Sequence, residues 1–220
     1  MFATLFDFDG VLVDSEPVHL AAFNDVLAEH GLPVITDPEY QERFLSLSDA
    51  AVFRTVLSRG GRTLREDEVH RAVEAKSARF LARFDGSFRT FPGAAEALAR
   101  RAARGPVGIV SGALEREITF ALDRMGMRGA VAFIVSAERP VASKPDPAPF
   151  RLGLEELRRI APDARAVAIE DSLGGVTSAK GAGLRCAAVT HTYGPDELSR
   201  AGADVVAADL ASLTDALLEG

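Results

Sequence analysis

Two aspartates near the start of the chain have the spacing of a site for cation and phosphate chemistry. Asp7 and Asp9 follow the apolar run Thr4–Phe6, which is typical of a buried parallel strand, and Gly10 comes next. Side chains alternate along a strand, so we expect both carboxylates to leave its end on the same side. Two carboxylates this close together repel each other unless a cation is bound with them. The alternative interpretation is an ordinary polar junction, for which one aspartate would suffice.

Three further predicted strands are also followed by polar or charged side chains. In chain order these residues are Ser111 with Gly112 and Ala113, then Lys144 at the far side of a loop, then Glu170 and Asp171. In parallel α/β sheets, ligands bind outside the carboxyl ends of the strands. We therefore expect these side chains to share one site with Asp7 and Asp9.

Each of these groups also has a simpler interpretation when it is taken alone. Ser111 equally suits a helix cap, although a hydroxyl beside the amides of Gly112 and Ala113 also suits phosphate. Lys144 could be a surface lysine, and Glu170 with Asp171 could be a polar loop. As a set, the acids best fit a hard cation such as Mg²⁺, which takes carboxylates together with substrate phosphate and water.

The chemistry that this set predicts is phosphoryl transfer through a covalent aspartate. A carboxylate is ionised at neutral pH and needs no base to attack phosphorus. Its repulsion from a phosphate dianion would be cancelled by Mg²⁺ and by the ammonium group of Lys144. Asp9 could protonate the leaving alkoxide and then accept a proton from the water that hydrolyses the aspartyl-phosphate.

The elements that position these residues follow from the hydrophobic periodicity. Between residues 15 and 88 the pattern is helical throughout, with helices predicted over 18–30, 37–44, 48–58 and 65–84. We therefore expect an all-helical insertion over residues 15–88. The remaining residues, 1–14 and 89–220, would form the catalytic core.

After residue 88 the strand and helix patterns alternate. Strands are predicted over 107–110, 130–135, 166–169, 186–189 and 205–207, with helices between most of them and a last helix from Leu210. This alternation predicts an α/β fold, a doubly wound and mostly parallel sheet with helices on both faces.

Composition excludes several classes of protein. The net charge of −7 makes nucleic acid an improbable partner, and the single Cys186 excludes an internal disulfide and a cysteine-built zinc site. The chain of 220 residues has no run of eighteen apolar residues and no signal-peptide pattern at its start. We therefore expect no membrane partner and a cytoplasmic location.

Four stretches of the chain resemble the successive motifs of the haloacid dehalogenase-like (HAD) superfamily. They read DFDGVLVDSE, VSGA, SKPDPAPF and IEDSLGGVTSAKGAGL, and they occur in that order. The nearest branch is the β-phosphoglucomutase and phosphoglycolate-phosphatase-like group, which carries a helical cap after the first strand. The resemblance implies a Rossmann-like core, Mg²⁺ as cofactor, and residues 15–88 as a cap that closes over the substrate.

The resemblance also implies roles for individual residues. Asp7 would be the nucleophile and Asp9 the acid and base, while Ser111 binds phosphate and Lys144 steadies both nucleophile and phosphate. The ligands of Mg²⁺ would be Asp7, the backbone carbonyl of Asp9, and Asp171, with Glu170 close by through water.

Cap residues are less determined by the resemblance. His19 lies where this branch often has a histidine near the acid and base, but an exposed histidine in the first turn of a helix fits equally. Arg43, Arg54 and Lys76 could meet a second anionic group of the substrate, and solvated helix faces explain them at least as well. We expect a monomer, because the cap already covers the site.

The residues bear on four candidate functions. A phosphatase of small phosphorylated metabolites is favoured over a sugar phosphomutase, because Ser46-Leu47-Ser48-Asp49 has an acid where the mutase has an arginine. The stretch Gly112–Glu115 also lacks the lysine of the mutase loop. A dehalogenase would not need Asp9. A non-catalytic phospho-acceptor or binding protein is the remote alternative, since receiver-like domains lack the second aspartate and a large cap.

Overall fold

The computed structural model describes residues 1–45, 47–59, 65–139 and 142–220. These residues form two compact units. The first, called here the sheet unit, comprises Met1–Asp14 and Thr90–Gly220, and the second, the helical unit, comprises Ser15–Arg89.

The sheet unit is built on six parallel strands. They are β1 (Phe2–Phe6), β2 (Val107–Val110), β3 (Phe133–Val135), β4 (Arg165–Glu170), β5 (Arg185–Val189) and β6 (Val205–Ala207). Their order across the sheet is β3-β2-β1-β4-β5-β6, so the strand order reverses between β1 and β4. Phe6 of β1 pairs in register with Ile109 of β2 and Ile169 of β4, which brings the residues after these strands to one edge. The predicted parallel α/β sheet is thereby confirmed.

The helical unit contains four α-helices within its described residues. They are α1 (Glu16–Glu29), α2 (Asp37–Arg43), α3 (Asp49–Leu57) and α4 (Glu66–Ser87). Pro17 occupies the first turn of α1, and the Thr36 side chain accepts the Glu39 N–H at the start of α2. The buried stripe of α4 repeats at helical spacing and contains one charged residue, in the order Val69, Val73, Lys76, Phe80, Phe84.

In the described residues of the sheet unit, six more helices lie between or after the strands. They are α5 (Ala94–Ala102), α6 (Glu115–Arg124), α7 (Ala148–Ile160), α8 (Leu173–Gly181), α9 (Pro195–Arg200) and α10 (Asp215–Glu219). Phe150 of α7 and Val176 of α8 pack with Leu5, Val110 and Cys186 of the sheet in one buried cluster. In the described part of the chain, no helix combines the length and the apolar character that crossing a bilayer requires.

Two predicted elements begin several residues later in the structure than the sequence indicates. The strand expected over 130–135 begins only at Phe133, because Arg128–Ala130 forms a 3₁₀ turn in which the Ala130 N–H donates to the Met127 carbonyl. The last helix begins at Asp215 rather than at Leu210, where the Thr214 hydroxyl accepts the N–H of Leu217 at 3.4 Å.

Helix α9 was not predicted from the sequence. Its six residues are too few to show a periodic hydrophobic pattern. Only the residues at its N-terminus are typical of a helix. Pro195 stands in the first turn, and the Glu197 carboxylate accepts the N–H of Gly194 at 3.0 Å.

Candidate active site

Four of the residues singled out in the sequence meet at the carboxyl ends of β1 and β4. The ammonium nitrogen of Lys144 lies 2.5 Å from Oδ1 of Asp7 and 2.5 Å from Oε1 of Glu170. Asp7, Glu170 and Asp171 each contribute one oxygen to a group whose members all lie within 4.8 Å of one another. All four side chains are buried.

The turn after β1 is shaped so that Asp171 can approach it. The Asp7 N–H donates to the Ile169 carbonyl at 2.8 Å, which continues the pairing of β1 with β4 for one residue. Gly10 then turns the chain with a φ of 77°, a conformation that glycine adopts without strain. A Cβ at Gly10 would lie 2.1 Å from Oδ2 of Asp171. Only glycine therefore allows the Asp171 carboxylate to lie against this turn.

Glu170 is held by the turn that leads from β4 into α8. Its Oε2 accepts the N–H groups of Asp171 and Ser172, at 3.2 and 3.4 Å, and the Ser172 hydroxyl at 3.2 Å. A Cβ on Gly175, in the first turn of α8, would lie 2.0 Å from this carboxylate. Glu170 thus lies at a helix N-terminus, which favours a negative charge.

Negative charge exceeds positive charge among these buried groups. Burial raises the pKa of Asp7 well above its usual value; the Lys144 ammonium opposes that rise, and the charge of Glu170 adds to it. Burial alone would lower the pKa of Lys144, but the carboxylates of Asp7 and Glu170 outweigh it and raise this pKa, so the lysine is charged. One ammonium facing three carboxylates leaves an excess of negative charge. This oxygen-rich donor set fits Mg²⁺.

Asp9 and Ser111 extend the group toward β2. The hydroxyl of Ser111 lies 3.5 Å from Oδ2 of Asp9, at the limit of a hydrogen bond. The same hydroxyl accepts the N–H of Ala113 at 3.0 Å. In this structure the Ala113 amide therefore closes a turn onto Ser111, and its role in binding phosphate stays a prediction. Gly112 lies in that turn.

His19 lies in the helical unit, where it is buried. Its Nδ1 is 2.6 Å from the ammonium nitrogen of Lys76, and its ring stacks on Phe80 with centroids 4.2 Å apart. The interpretation of His19 as an exposed histidine is wrong, because Phe80 and Lys76 cover it. Its coupling to Asp9 stays a prediction.

The three cap cations differ in their surroundings. Lys76 is fully buried and also lies 2.8 Å from Oδ2 of Asp49, so a solvated helix face does not describe it. Arg43 and Arg54 are half exposed, and they form ion pairs with Glu39 and Glu66 respectively. A solvated helix face describes these two arginines.

Two residues that the sequence interpretation missed join the site from the end of β5. The Nδ1 of His191 lies 2.7 Å from the Gly10 carbonyl oxygen, and the Thr192 hydroxyl donates to Oδ2 of Asp171. The predicted site residues follow four of the strands, and β5 is not among these four. The rule that functional side chains follow strand ends also covers His191 and Thr192, because β5 ends at Val189.

Comparisons with known proteins agree with one another. The sequence model of the haloacid dehalogenase-like hydrolase family matches residues 4–189. A phosphoglycolate phosphatase of Rhodospirillum rubrum is 31% identical over 97% of this chain and 89% of its own length. Protein CbbY of Cereibacter sphaeroides is 34% identical over 92% of this chain and 89% of its own.

A solved structure is similar along the whole chain. It is a variant of CbbY from Rhodobacter sphaeroides in complex with xylulose-1,5-bisphosphate. The two chains share 31% sequence identity and a TM-score of 0.83, and the match covers 99% of each.

Proposed function

This chain belongs to the haloacid dehalogenase-like hydrolases and is a phosphatase of small phosphorylated metabolites, and we propose that it works through an Mg²⁺-dependent aspartyl-phosphate mechanism. The observation that carries the proposal is the meeting of Asp7, Lys144, Glu170 and Asp171 at one sheet edge. A nucleophilic carboxylate, a fixed ammonium and spare cation ligands are the parts that phosphoryl transfer to an aspartate requires.

The first half of the reaction transfers the phosphoryl group to Asp7. Because Lys144 holds Oδ1, we assign the attack to Oδ2, which forms a bond to phosphorus while the ester P–O bond breaks. The departing alkoxide takes a proton from the carboxyl group of Asp9. The Lys144 ammonium reduces the repulsion between the incoming phosphate and the carboxylate.

The second half of the reaction returns Asp7 to its starting state. Asp9, now ionised, accepts a proton from a water molecule as the water oxygen bonds to phosphorus. The bond between phosphorus and Asp7 breaks, and inorganic phosphate leaves. Asp7, Asp171 and the Asp9 carbonyl would hold Mg²⁺, with Glu170 beside them, and the cation would neutralise charge on the transferring phosphoryl group.

The structure of the helical unit favours a phosphatase over a sugar phosphomutase. The mutase-like branch has an arginine in the loop where this chain has Asp49, and Asp49 is here the ion-pair partner of buried Lys76. An arginine at this position would bring two like charges together in a buried place. Ser46, which belongs to the same motif, lies outside the described residues.

For the substrate class, we propose a phosphate monoester of a sugar or of a short carboxylic acid. The relative from Rhodospirillum rubrum is named a phosphoglycolate phosphatase, and the CbbY variant holds a sugar bisphosphate. Both compounds offer a primary phosphate ester on a short polar chain.

The test is a phosphatase assay with p-nitrophenyl phosphate, with Mg²⁺ and with EDTA. We expect turnover that requires Mg²⁺ and that disappears in Asp7→Asn, which has the same shape but a neutral, poorly nucleophilic side chain. Acid-quenched protein from a reaction with a labelled substrate should carry phosphate on Asp7. A panel of phosphorylated sugars and acids then ranks the natural substrates.

Two outcomes would overturn the proposal. Turnover that survives Asp7→Asn, or that does not need a divalent cation, would exclude the mechanism. Rapid conversion of β-glucose 1-phosphate to glucose 6-phosphate without net phosphate release would identify a phosphomutase instead.

A further inference from the structure

The segment between β5 and α9 contacts the candidate cation site at two points. The Thr192 hydroxyl donates a hydrogen bond to Oδ2 of Asp171. One residue earlier, the His191 ring meets the carbonyl oxygen of Gly10 at 2.7 Å. Because a carbonyl only accepts, Nδ1 of His191 carries the hydrogen of this bond.

Thr192 fixes the orientation of the Asp171 carboxylate. A carboxylate has two equivalent oxygens and rotates unless one of them is held. The Thr192 hydroxyl holds Oδ2, on the side where the Gly10 backbone lies against the carboxylate. This bond therefore fixes the orientation in which Asp171 presents its carboxylate to the cation.

His191 acts on the backbone of the turn that would supply the Asp9 carbonyl. The Asp9–Gly10 peptide is fixed on one side, because the Gly10 N–H donates to the Val13 carbonyl at 2.9 Å. His191 fixes the following peptide through the Gly10 carbonyl. In a trans peptide the carbonyl points away from the N–H, so these two bonds together set the direction of the Asp9 carbonyl.

The segment that carries His191 and Thr192 is held in place by contacts with neighbouring elements, as residues that position a metal ligand must be. The His191 ring stacks on Phe91, with centroids 3.8 Å apart and planes 10° apart. The Phe91 N–H in turn donates to the Leu12 carbonyl of the same turn at 3.1 Å. On the other side, the Thr190 N–H donates to Ala207 of β6 at 3.0 Å.

We propose that His191 and Thr192 are positioning residues for the divalent cation: Thr192 orients the Asp171 carboxylate, and His191 orients the peptide that presents the Asp9 carbonyl. The proposal rests on the proposed Mg²⁺-dependent function. Groups that orient metal ligands in this way change metal affinity by about 10-fold to 100-fold when they are removed.

Thr192 is tested by comparing three variants of the whole chain. Thr192→Val keeps the shape and removes the hydroxyl, whereas Thr192→Ser keeps the hydroxyl. Thr190→Val makes the same chemical change two residues away. The Thr190 hydroxyl lies 3.5 Å from the Ala208 carbonyl oxygen and not at Asp171. Mg²⁺ affinity is measured by isothermal titration calorimetry, and Mn²⁺ affinity by electron paramagnetic resonance, both without substrate. We expect Thr192→Val to weaken both affinities about 10-fold to 100-fold. Thr192→Ser and Thr190→Val should bind like the wild type.

His191 is tested by separating its hydrogen bond from its ring. His191→Phe keeps a ring that can stack on Phe91 and lacks the donor. His191→Asn has a side-chain amide at the position of Nδ1 and lacks the ring. We expect weaker Mg²⁺ binding in His191→Phe and recovery in His191→Asn, with a parallel rise and recovery in the Mg²⁺ concentration at half-maximal activity.

A merely structural role predicts a different pattern. Thr192→Val and His191→Phe would then lower the melting temperature in EDTA while their Mg²⁺ affinities matched the wild type, and this result would overturn the proposal. If Thr192→Val does not fold, Thr192→Ala at reduced temperature replaces it with the same expectation. A wild-type chain that neither binds Mg²⁺ nor turns over substrate would refute the proposed function itself.

Discussion

The two units of this protein each bury one lysine, and the two sites differ in their balance of charge. The ammonium groups of Lys144 in the sheet unit and Lys76 in the helical unit both lie over the face of an aromatic ring. Nζ of Lys144 is 5.1 Å from the ring centroid of Phe150, and Nζ of Lys76 is 5.0 Å from that of Phe80. Both also contact a carboxylate at hydrogen-bonding distance. By local chemistry alone the two ammonium groups look alike.

The remaining partners distinguish them. Lys144 bridges Asp7 and Glu170, with Asp171 beside them, so that carboxylates outnumber the ammonium group. Lys76 contacts the Asp49 carboxylate and Nδ1 of His19, together with the aromatic faces of Phe23 and Phe80. The first cluster has more carboxylates than ammonium groups, while the Lys76 ammonium forms an ion pair with the single carboxylate of Asp49.

This difference separates a reactive cluster from an ion pair that holds a fold. An excess of buried charge costs free energy unless a ligand neutralises it, and a site that binds Mg²⁺ and phosphate supplies that ligand. A balanced pair gains nothing from a further ion. We therefore assign the chemistry to Lys144 and a structural role within the helical unit to Lys76.

The largest expected effect is on stability, from Lys76→Met. The substitution leaves the Asp49 carboxylate buried without its counter-charge, and such losses cost about 3–5 kcal/mol of unfolding free energy. Chemical denaturation measures it, with circular dichroism as the signal. Turnover of p-nitrophenyl phosphate by the folded fraction should change little.

The matched control removes both charges of the pair. Asp49→Asn combined with Lys76→Met should recover most of the lost stability, because no unpaired charge then stays buried. A fall in kcat for Lys76→Met as large as that for Lys144→Met, without loss of stability, would contradict the assignment and place Lys76 in the reaction.

Lys144→Met should have the opposite effect to Lys76→Met, because it should lower turnover more than stability. Removing a fixed charge that stabilises the transition state costs about 10²-fold to 10³-fold in kcat. Lys144→Arg should recover little, because a planar guanidinium does not occupy the position of an ammonium group between Asp7 and Glu170. Assays of phosphate release at saturating Mg²⁺ give kcat for each variant. Full activity in Lys144→Met would disprove a role of Lys144 in the reaction.

Mg²⁺ itself should stabilise the sheet unit alone. A cation at 100 times its dissociation constant raises the unfolding free energy by about 2.7 kcal/mol. We expect this increase in the wild type and in the variant that lacks both Lys76 and Asp49. Asp171→Asn should reduce it, as measured by melting in Mg²⁺ and in EDTA; an unchanged increase in Asp171→Asn would place the cation elsewhere.

The hydrophobic pattern of the sequence predicted the site residues that directly follow strands. It did not predict contacts between residues that are far apart in the sequence. Asp7, Ser111 and Glu170 were found because each follows an apolar run. His191 follows the end of β5, but this position does not identify its partner Gly10, which is 181 residues away in the sequence.

The helical unit shows the same limit. Lys76 falls at the buried spacing of α4, between Val73 and Phe80, so periodicity alone could have predicted its burial. Its partners could not be predicted in this way, because His19 is 57 residues away on another helix. Helical periodicity says which face is buried, but it does not say what lies opposite.

A third buried cation offers the smallest effect and extends the comparison to a carboxylate that is only partly buried. Arg101 of α5 is fully buried, yet it bonds to Glu219 of α10, which Arg104 also binds. These hydrogen bonds from Arg104 and Arg101 lower the pKa of Glu219 to about 2. The unfolded chain has the usual glutamate pKa of about 4.3. The ionised carboxylate therefore adds stability above about pH 4.3, and this contribution disappears as the pH falls toward 2.

Glu219→Gln should accordingly be less stable than the wild type at pH 7, and the gap between their melting temperatures should narrow between pH 4.5 and pH 2.5. Glu155→Gln, at an exposed position on α7, is the control and should show no such trend. A gap that stays constant with pH would mean that Glu219 contributes through packing rather than charge.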